Sequence, residues 1–164
     1  MDLFDDLFFF GALKGRVSLN FYPHSGDGSL LGQCFTNGSG FAKVELFRPH
    51  NPYSGRRGRM IQFLGCLLHE MCHALFLVYA CVQGPCFATY DSCGTTGHGA
   101  AWQYAAYAVE HTSLPVLGLR FNLNRRNALG HEGGRGRPEH LDHWELHDSS
   151  SGYNESSGSG CGQM

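Results

Sequence analysis

Strong charge of either sign is missing from this chain. Twelve Lys and Arg stand against 14 Asp and Glu, for a formal net charge of −2 over 164 residues. That balance argues against a protein built around a strongly basic nucleic-acid surface, while leaving room for local basic patches. A long apolar run is missing too. The longest, Ala74 to Val82, falls far short of the roughly 20 residues that a membrane span needs. No Lys or Arg leads the amino terminus; MDLFDDLFFFGALKGR opens with three Asp, the wrong charge for a secretory signal. The 7 Cys form no even framework and no C-x-x-C pair, which speaks against a disulfide scaffold and for a reducing compartment. The expectation is a soluble monomer inside the cell, in nucleus or cytoplasm, not secreted and with no membrane partner. No internal repeat is present, and the length suits one domain able to bury a core without disulfides.

What the chain has in excess is Gly (23) and His (10), a loop-rich composition that invites a search for metal ligands. Asp2 to Leu13 reads as the end of an amphipathic helix stopping at Gly11 or Gly15; such helices are normally longer, so the chain is expected to start late. Arg16 to Tyr22 alternates, with Val17, Leu19 and Phe21 on one side, as a half-buried strand does. Leu30 to Thr36 and Phe41 to Phe47 flank Asn37-Gly38-Ser39-Gly40 as a hairpin. Pro49 to Gly58 reads as a polar loop, with basic residues at Arg56, Arg57 and Arg59. Met60 to about Cys81 has no Pro and is apolar around most of its circumference, the mark of a central buried helix. Ile61, Leu64, Leu68, Met71 and Leu75 should form its core face. A second helix is expected over Gly99 to His111, stopped by Leu114-Pro115. The fold class is therefore α+β, with helices packed on a small antiparallel sheet of about three strands. One domain over 1–147 and a disordered Ser/Gly-rich tail over 148–164 are expected.

The long helix carries His69-Glu70-Met71-Cys72-His73. Two His four residues apart project from one helix face and can take a single ion between them. Glu70 lies about 100° further round, too far to ligate with that pair but placed to take a proton from a water that zinc polarises. Gln62, Gly65 and Cys66 turn with the His face, and their small or polar side chains are expected to leave room for a substrate backbone. A catalytic zinc needs a third protein ligand. His98, in Gly97-His98-Gly99, is the favoured candidate over Glu110, which sits roughly three helical turns further on.

These residues resemble the SprT-like (Spartan-like) zinc metallopeptidase family. The likeness rests on LLHEMCHALF (Leu67 to Phe76), GHGAAW (Gly97 to Trp102) and, more weakly, LFDDLFFFGAL before the first strand. It covers about 1–111 and lacks the C-terminal zinc ribbon of many relatives. It implies a minimal zincin fold and one catalytic Zn2+ held by His69, His73 and His98, with Glu70 as catalytic base. The implied activity is endopeptidase cleavage of a protein substrate, with DNA as a partner and DNA–protein crosslink repair as the setting.

Substrate is expected to add as a strand along Phe41 to Phe47, with Tyr104, Tyr107 and His111 as candidate oxyanion donors. A rival reading is a non-catalytic zinc-binding module that serves as a nucleic-acid or protein binding platform. A zinc hydrolase acting on other carbonyls is a third. The intact Glu70 counts against the platform, since a structural site needs no base. Cys81, Cys86 and Cys93 match no common zinc module and read as thiols. Cys66 reads as a small packing residue, and His140, His143 and His147 as solvated. Arg56, Arg57, Arg59 and the basic stretch Arg120, Arg125, Arg126, Arg135 and Arg137 read as exposed charge able to meet phosphates if they converge.

Overall fold

The computed structural model describes residues 1–23, 30–36, 38, 40–48, 55–80 and 91–132. Among them run α1 (Asp2–Phe8), β1 (Val17–Tyr22), β2 (Gly32–Thr36), β3 (Ala42–Phe47), α2 (Arg56–Tyr79), α3 (Ala100–Leu117) and α4 (Arg125–His131). The class is mixed α+β, with four helices and one three-stranded sheet among the described residues. The expected tail over 148–164 lies outside the described residues, as do Cys81, Cys86, Arg135, Arg137, His140, His143 and His147.

The sheet is mixed, which corrects the antiparallel expectation. Its order is β1-β3-β2: β2 pairs antiparallel with β3, as the hairpin predicts, but β1 pairs parallel with it. Alternation shows which face of a strand is buried and says nothing about direction relative to a neighbour. The central strand is β3, whose Ala42, Val44 and Leu46 are all buried. Leu19 and Cys34 stand opposite Val44 on the same face. On the other face Glu45 ties all three strands together, accepting from Gln33 Nε2 (2.7 Å) and from the Tyr22 hydroxyl (3.1 Å).

Three helix boundaries also differ from expectation. α1 stops at Phe8, because the Asp5 carbonyl takes the N–H of both Phe9 and Gly11 while its carboxylate takes that of Leu13 (3.0 Å). α2 begins at Arg56, so Arg56, Arg57 and Arg59 lie in its first turn and not in a loop. Gly55 offers no side-chain cap there and no acidic residue follows it; cations at a helix start oppose the dipole, so the boundary carried no start signal. α3 runs through Pro115 to Leu117 and closes on Gly118 at φ 65°, whose N–H reaches the Leu114 carbonyl (2.9 Å). Pro115 removes one donor, to the carbonyl of His111, and His111 is exposed in this last turn, where the loss costs least.

α2 lies across β2 and β3 and also packs on α3. Of its expected core face, Leu68 and Met71 are fully buried, and Ile61, Leu64 and Leu75 pack partly buried against the core. With 24 residues and a mean hydropathy of 1.6 in its most apolar window, α2 is long and apolar enough to cross a membrane, and 56% of that window is buried within the chain. After α3 the chain turns back over α2 through Phe121 and Leu123, both buried, into α4. Phe121, Leu123, Ala128 and Leu129, all beyond His111, are therefore buried apolar residues of the fold.

Candidate metal centre

His69 and His73 sit one turn apart on α2, and His98 enters from the loop ahead of α3. Their Nε2 atoms form a nearly equilateral triangle, 3.1 Å from His69 to His98, 3.1 Å from His69 to His73 and 3.0 Å from His73 to His98. Three imidazole nitrogens held at about 2.0–2.1 Å from one tetrahedral ion would lie about 3.3 Å apart, so the triangle is that arrangement slightly contracted. All three rings are buried. Trp102, the fully buried third residue of α3, lines them with ring centroids 4.6 Å from His69, 4.7 Å from His98 and 5.4 Å from His73.

Hydrogen bonding at the far side of the rings sets where their protons sit. His69 Nδ1 is 2.7 Å from the Leu123 carbonyl, which can only accept, so Nδ1 carries the hydrogen and Nε2 the lone pair. The Thr96 hydroxyl donates to Glu132 Oε2 (2.7 Å), so it accepts from His98 Nδ1 (3.1 Å), and Nε2 is again bare. His73 Nδ1 has no hydrogen-bond partner among the described residues. Burial pushes His69 down to about 3 and His98 to about 4, and holds His73 well below its ordinary range. Neutral rings with at least two lone pairs facing each other repel unless a cation sits among them, and neutral imidazole is the form that binds a metal. The group could therefore hold a metal ion.

Glycines make this packing fit. A Cβ on Gly32 would fall 2.7 Å from Cys66 Sγ and 2.9 Å from both Cγ and Oε1 of Glu70, so β2 lies directly against that carboxyl. A Cβ on Gly65 would meet the Asn122 carbonyl oxygen at 3.1 Å. Gly65 therefore admits the returning backbone of 121–124, which brings Leu123 to His69, and Cys66 packs under Gly32. Neither leaves room for substrate, contrary to expectation. The small residues were visible in the sequence, but their neighbours come from 34 to 57 residues away.

Glu110 stands outside the three-imidazole group. Its Oε1 accepts the Leu123 N–H (2.7 Å) and its Oε2 an Arg125 guanidinium nitrogen (3.2 Å), so it grips the peptide that orients His69. Arg125 is buried, donates to Gln103 and lies over the Tyr107 ring, which corrects its reading as an exposed phosphate contact. Arg56, Arg57, Arg120 and Arg126 are exposed. Tyr104 is 66% exposed, and Tyr107 and His111 stack on one another with centroids 3.8 Å apart, His111 Nδ1 lying 3.2 Å from the Tyr107 carbonyl. Cys34, Cys66, Cys72 and Cys93 are buried thiols outside any disulfide.

Comparison with protein-family models, with curated proteins and with solved structures returns no match.

The sequence reading missed Glu132. It is buried at the end of α4, and its carboxylate accepts the backbone N–H of Thr95, Thr96 and His98 as well as the Thr96 hydroxyl. Burial works against its ionisation, but those donors outweigh it and hold the carboxyl below its ordinary range. The one sequence sign of this was Gly94-Thr-Thr-Gly97, a loop shaped to receive an anion.

Proposed function

We propose that this chain is a zinc-dependent endopeptidase of minimal zincin type. His69, His73 and His98 hold the ion and Glu70 serves as general base. The observation that carries the reading is the triangle of neutral imidazole nitrogens, built on a helix where the residue after its first ligand is a buried glutamate. Zinc, when bound, supplies Lewis acidity toward a scissile carbonyl and an attacking water. The protein's own residues supply the rest. Glu70 takes the proton of the attacking water and passes it to the leaving amine nitrogen. Trp102 closes one side of the ring cluster to solvent.

The strand edge assigned to substrate changes with the topology. Since β3 is central, Phe41 to Phe47 offers no open edge. β2 is at one side of the sheet and its Gly32 touches Glu70, so the outer edge of β2 is the place for an extended peptide to add. Proteins associated with DNA are the substrate class that the likeness to the SprT-like family suggests.

A second reading is favoured by burial: Glu70 is 0% exposed and the three imidazoles 1–3%, as in a closed structural site. In that reading the chain is a zinc-stabilised binding platform without catalysis. Metal content and cleavage of casein or histones, with and without DNA, separate the two for the natural chain, Glu70→Gln and His98→Ala. The peptidase reading expects about one zinc per chain, retained in Glu70→Gln and weakened in His98→Ala, with cleavage falling at least about 100-fold in both. Zinc without any cleavage would leave the platform.

A further inference from the structure

The imidazole of His98 differs from the other two in how it is held. His69 and His73 ride on a buried helix, but His98 sits on a loop whose conformation α2 does not dictate. That loop is folded around one carboxylate. Gly94 has φ +82°, and a Cβ there would lie 2.5 Å from Cδ of Glu132, so the turn closes on Glu132 itself. The carboxylate takes the N–H of Thr96 (3.1 Å) and of His98 (3.2 Å), that of Thr95, and the Thr96 hydroxyl (2.7 Å). The hydroxyl has one hydrogen, given to Glu132, and turns its lone pair to His98 Nδ1 (3.1 Å).

We propose that Glu132 and Thr96 form a relay that positions His98 as a metal ligand, with the carboxylate orienting the hydroxyl and the hydroxyl fixing the ring with hydrogen on Nδ1 and the lone pair on Nε2. Glu132 is a positioning residue in this scheme, since it touches neither the ion nor substrate. The inference rests on the metal-site part of the proposed function and not on peptide hydrolysis. Outer partners of this kind fix the tautomer and ring angle of a ligating His and raise its basicity. The geometry also joins α4 to the metal: Glu132 lies 34 residues beyond His98, so loss of α4 from its seat would release the third ligand. A simple loop staple would need only the backbone contacts. The hydroxyl bridge to the ring is the part that a staple does not require.

The test uses the full chain and reads metal directly. Zinc affinity is measured by competition with a chromogenic chelator, and the absorption of the cobalt-loaded chain reports ligand geometry. Glu132→Gln and Thr96→Val are compared with Thr96→Ser, and thermal melts in chelator report fold stability without metal. The relay predicts that Glu132→Gln and Thr96→Val each weaken zinc binding about 10–100-fold and shift the cobalt bands, while Thr96→Ser binds as the natural chain does. Thr96→Val leaves every backbone contact of Glu132 in place, so it tests the relay even if Glu132→Gln does not fold. Natural affinity and cobalt bands in Thr96→Val would overturn the inference, whatever its melting temperature. A natural chain that takes up neither zinc nor cobalt would overturn the metal site itself, a separate outcome.

Discussion

Single side chains decide how tightly this site is drawn. Gly32 has no room for a methyl group, since both Glu70 Cγ and Cys66 Sγ stand within 2.9 Å of its place. Gly32→Ala should cost about 1–3 kcal/mol by overpacking and displace the Glu70 carboxyl. If the chain is the peptidase proposed above, zinc content should stay unchanged while cleavage falls; denaturant unfolding, metal analysis and a casein assay check these, and an unaltered midpoint would show that β2 yields without strain. At the same scale, the common face of His69 and His73 was legible because a four-residue spacing on a helix is a local matter. The role of Gly65 was not. Its smallness suggests a cavity, and only the arrival of Asn122 shows that backbone fills it.

Between elements, the joint of α2, α3 and the 121–124 segment carries the most. Leu123 is held from both sides, its N–H by Glu110 and its carbonyl by His69, and Arg125 pairs with Glu110 at 3.2 Å. The Arg125 side chain is 4% exposed and that of Glu110 19%, so removing one partner strands a buried charge. Glu110→Ala should therefore lower stability by about 3 kcal/mol and loosen zinc binding through His69. Chemical unfolding and chelator competition measure the two effects. If Glu110 were a ligand, affinity would collapse instead of easing. The sequence presented Glu110 as a rival ligand because residue type and helix position are all it shows. Which partner a carboxylate finds depends on a chain segment that returns 13 residues later. β1 is a similar case: Val17 and Leu19 pack against the core as their alternation suggested, but Phe21 on the same side is 61% exposed and stacks on Phe63, and the parallel pairing was not readable.

For the whole molecule, the imidazoles link folding to pH. With metal removed, His69 and His98 titrate near 3 and 4 in the folded chain, against an ordinary value of 6.5, burial being the first cause in each. The unfolded chain thus binds more protons below 6.5, so stability falls as pH drops from 6.5 toward 4 and is fully present above that range. The loss is on the order of 5 kcal/mol, comparable to the whole stability of many domains. Circular-dichroism melts in chelator between pH 8 and pH 4 should show a steep fall in melting temperature, and a flat profile would mean that the rings are not buried without metal. Sequence alone determined what repeats over a few residues: two imidazoles and a carboxyl on one helix, apolar alternation in the strands, and a glycine-bearing loop ahead of His98. Tertiary structure decided that β3 is central, that Glu110 grips a peptide, and that Glu132 organises the loop. The three nitrogens meet at 3.0–3.1 Å because segments 25 and 29 residues apart close on one point. Helix and strand periods act between neighbours in the chain, whereas that convergence depends on which buried faces pack together.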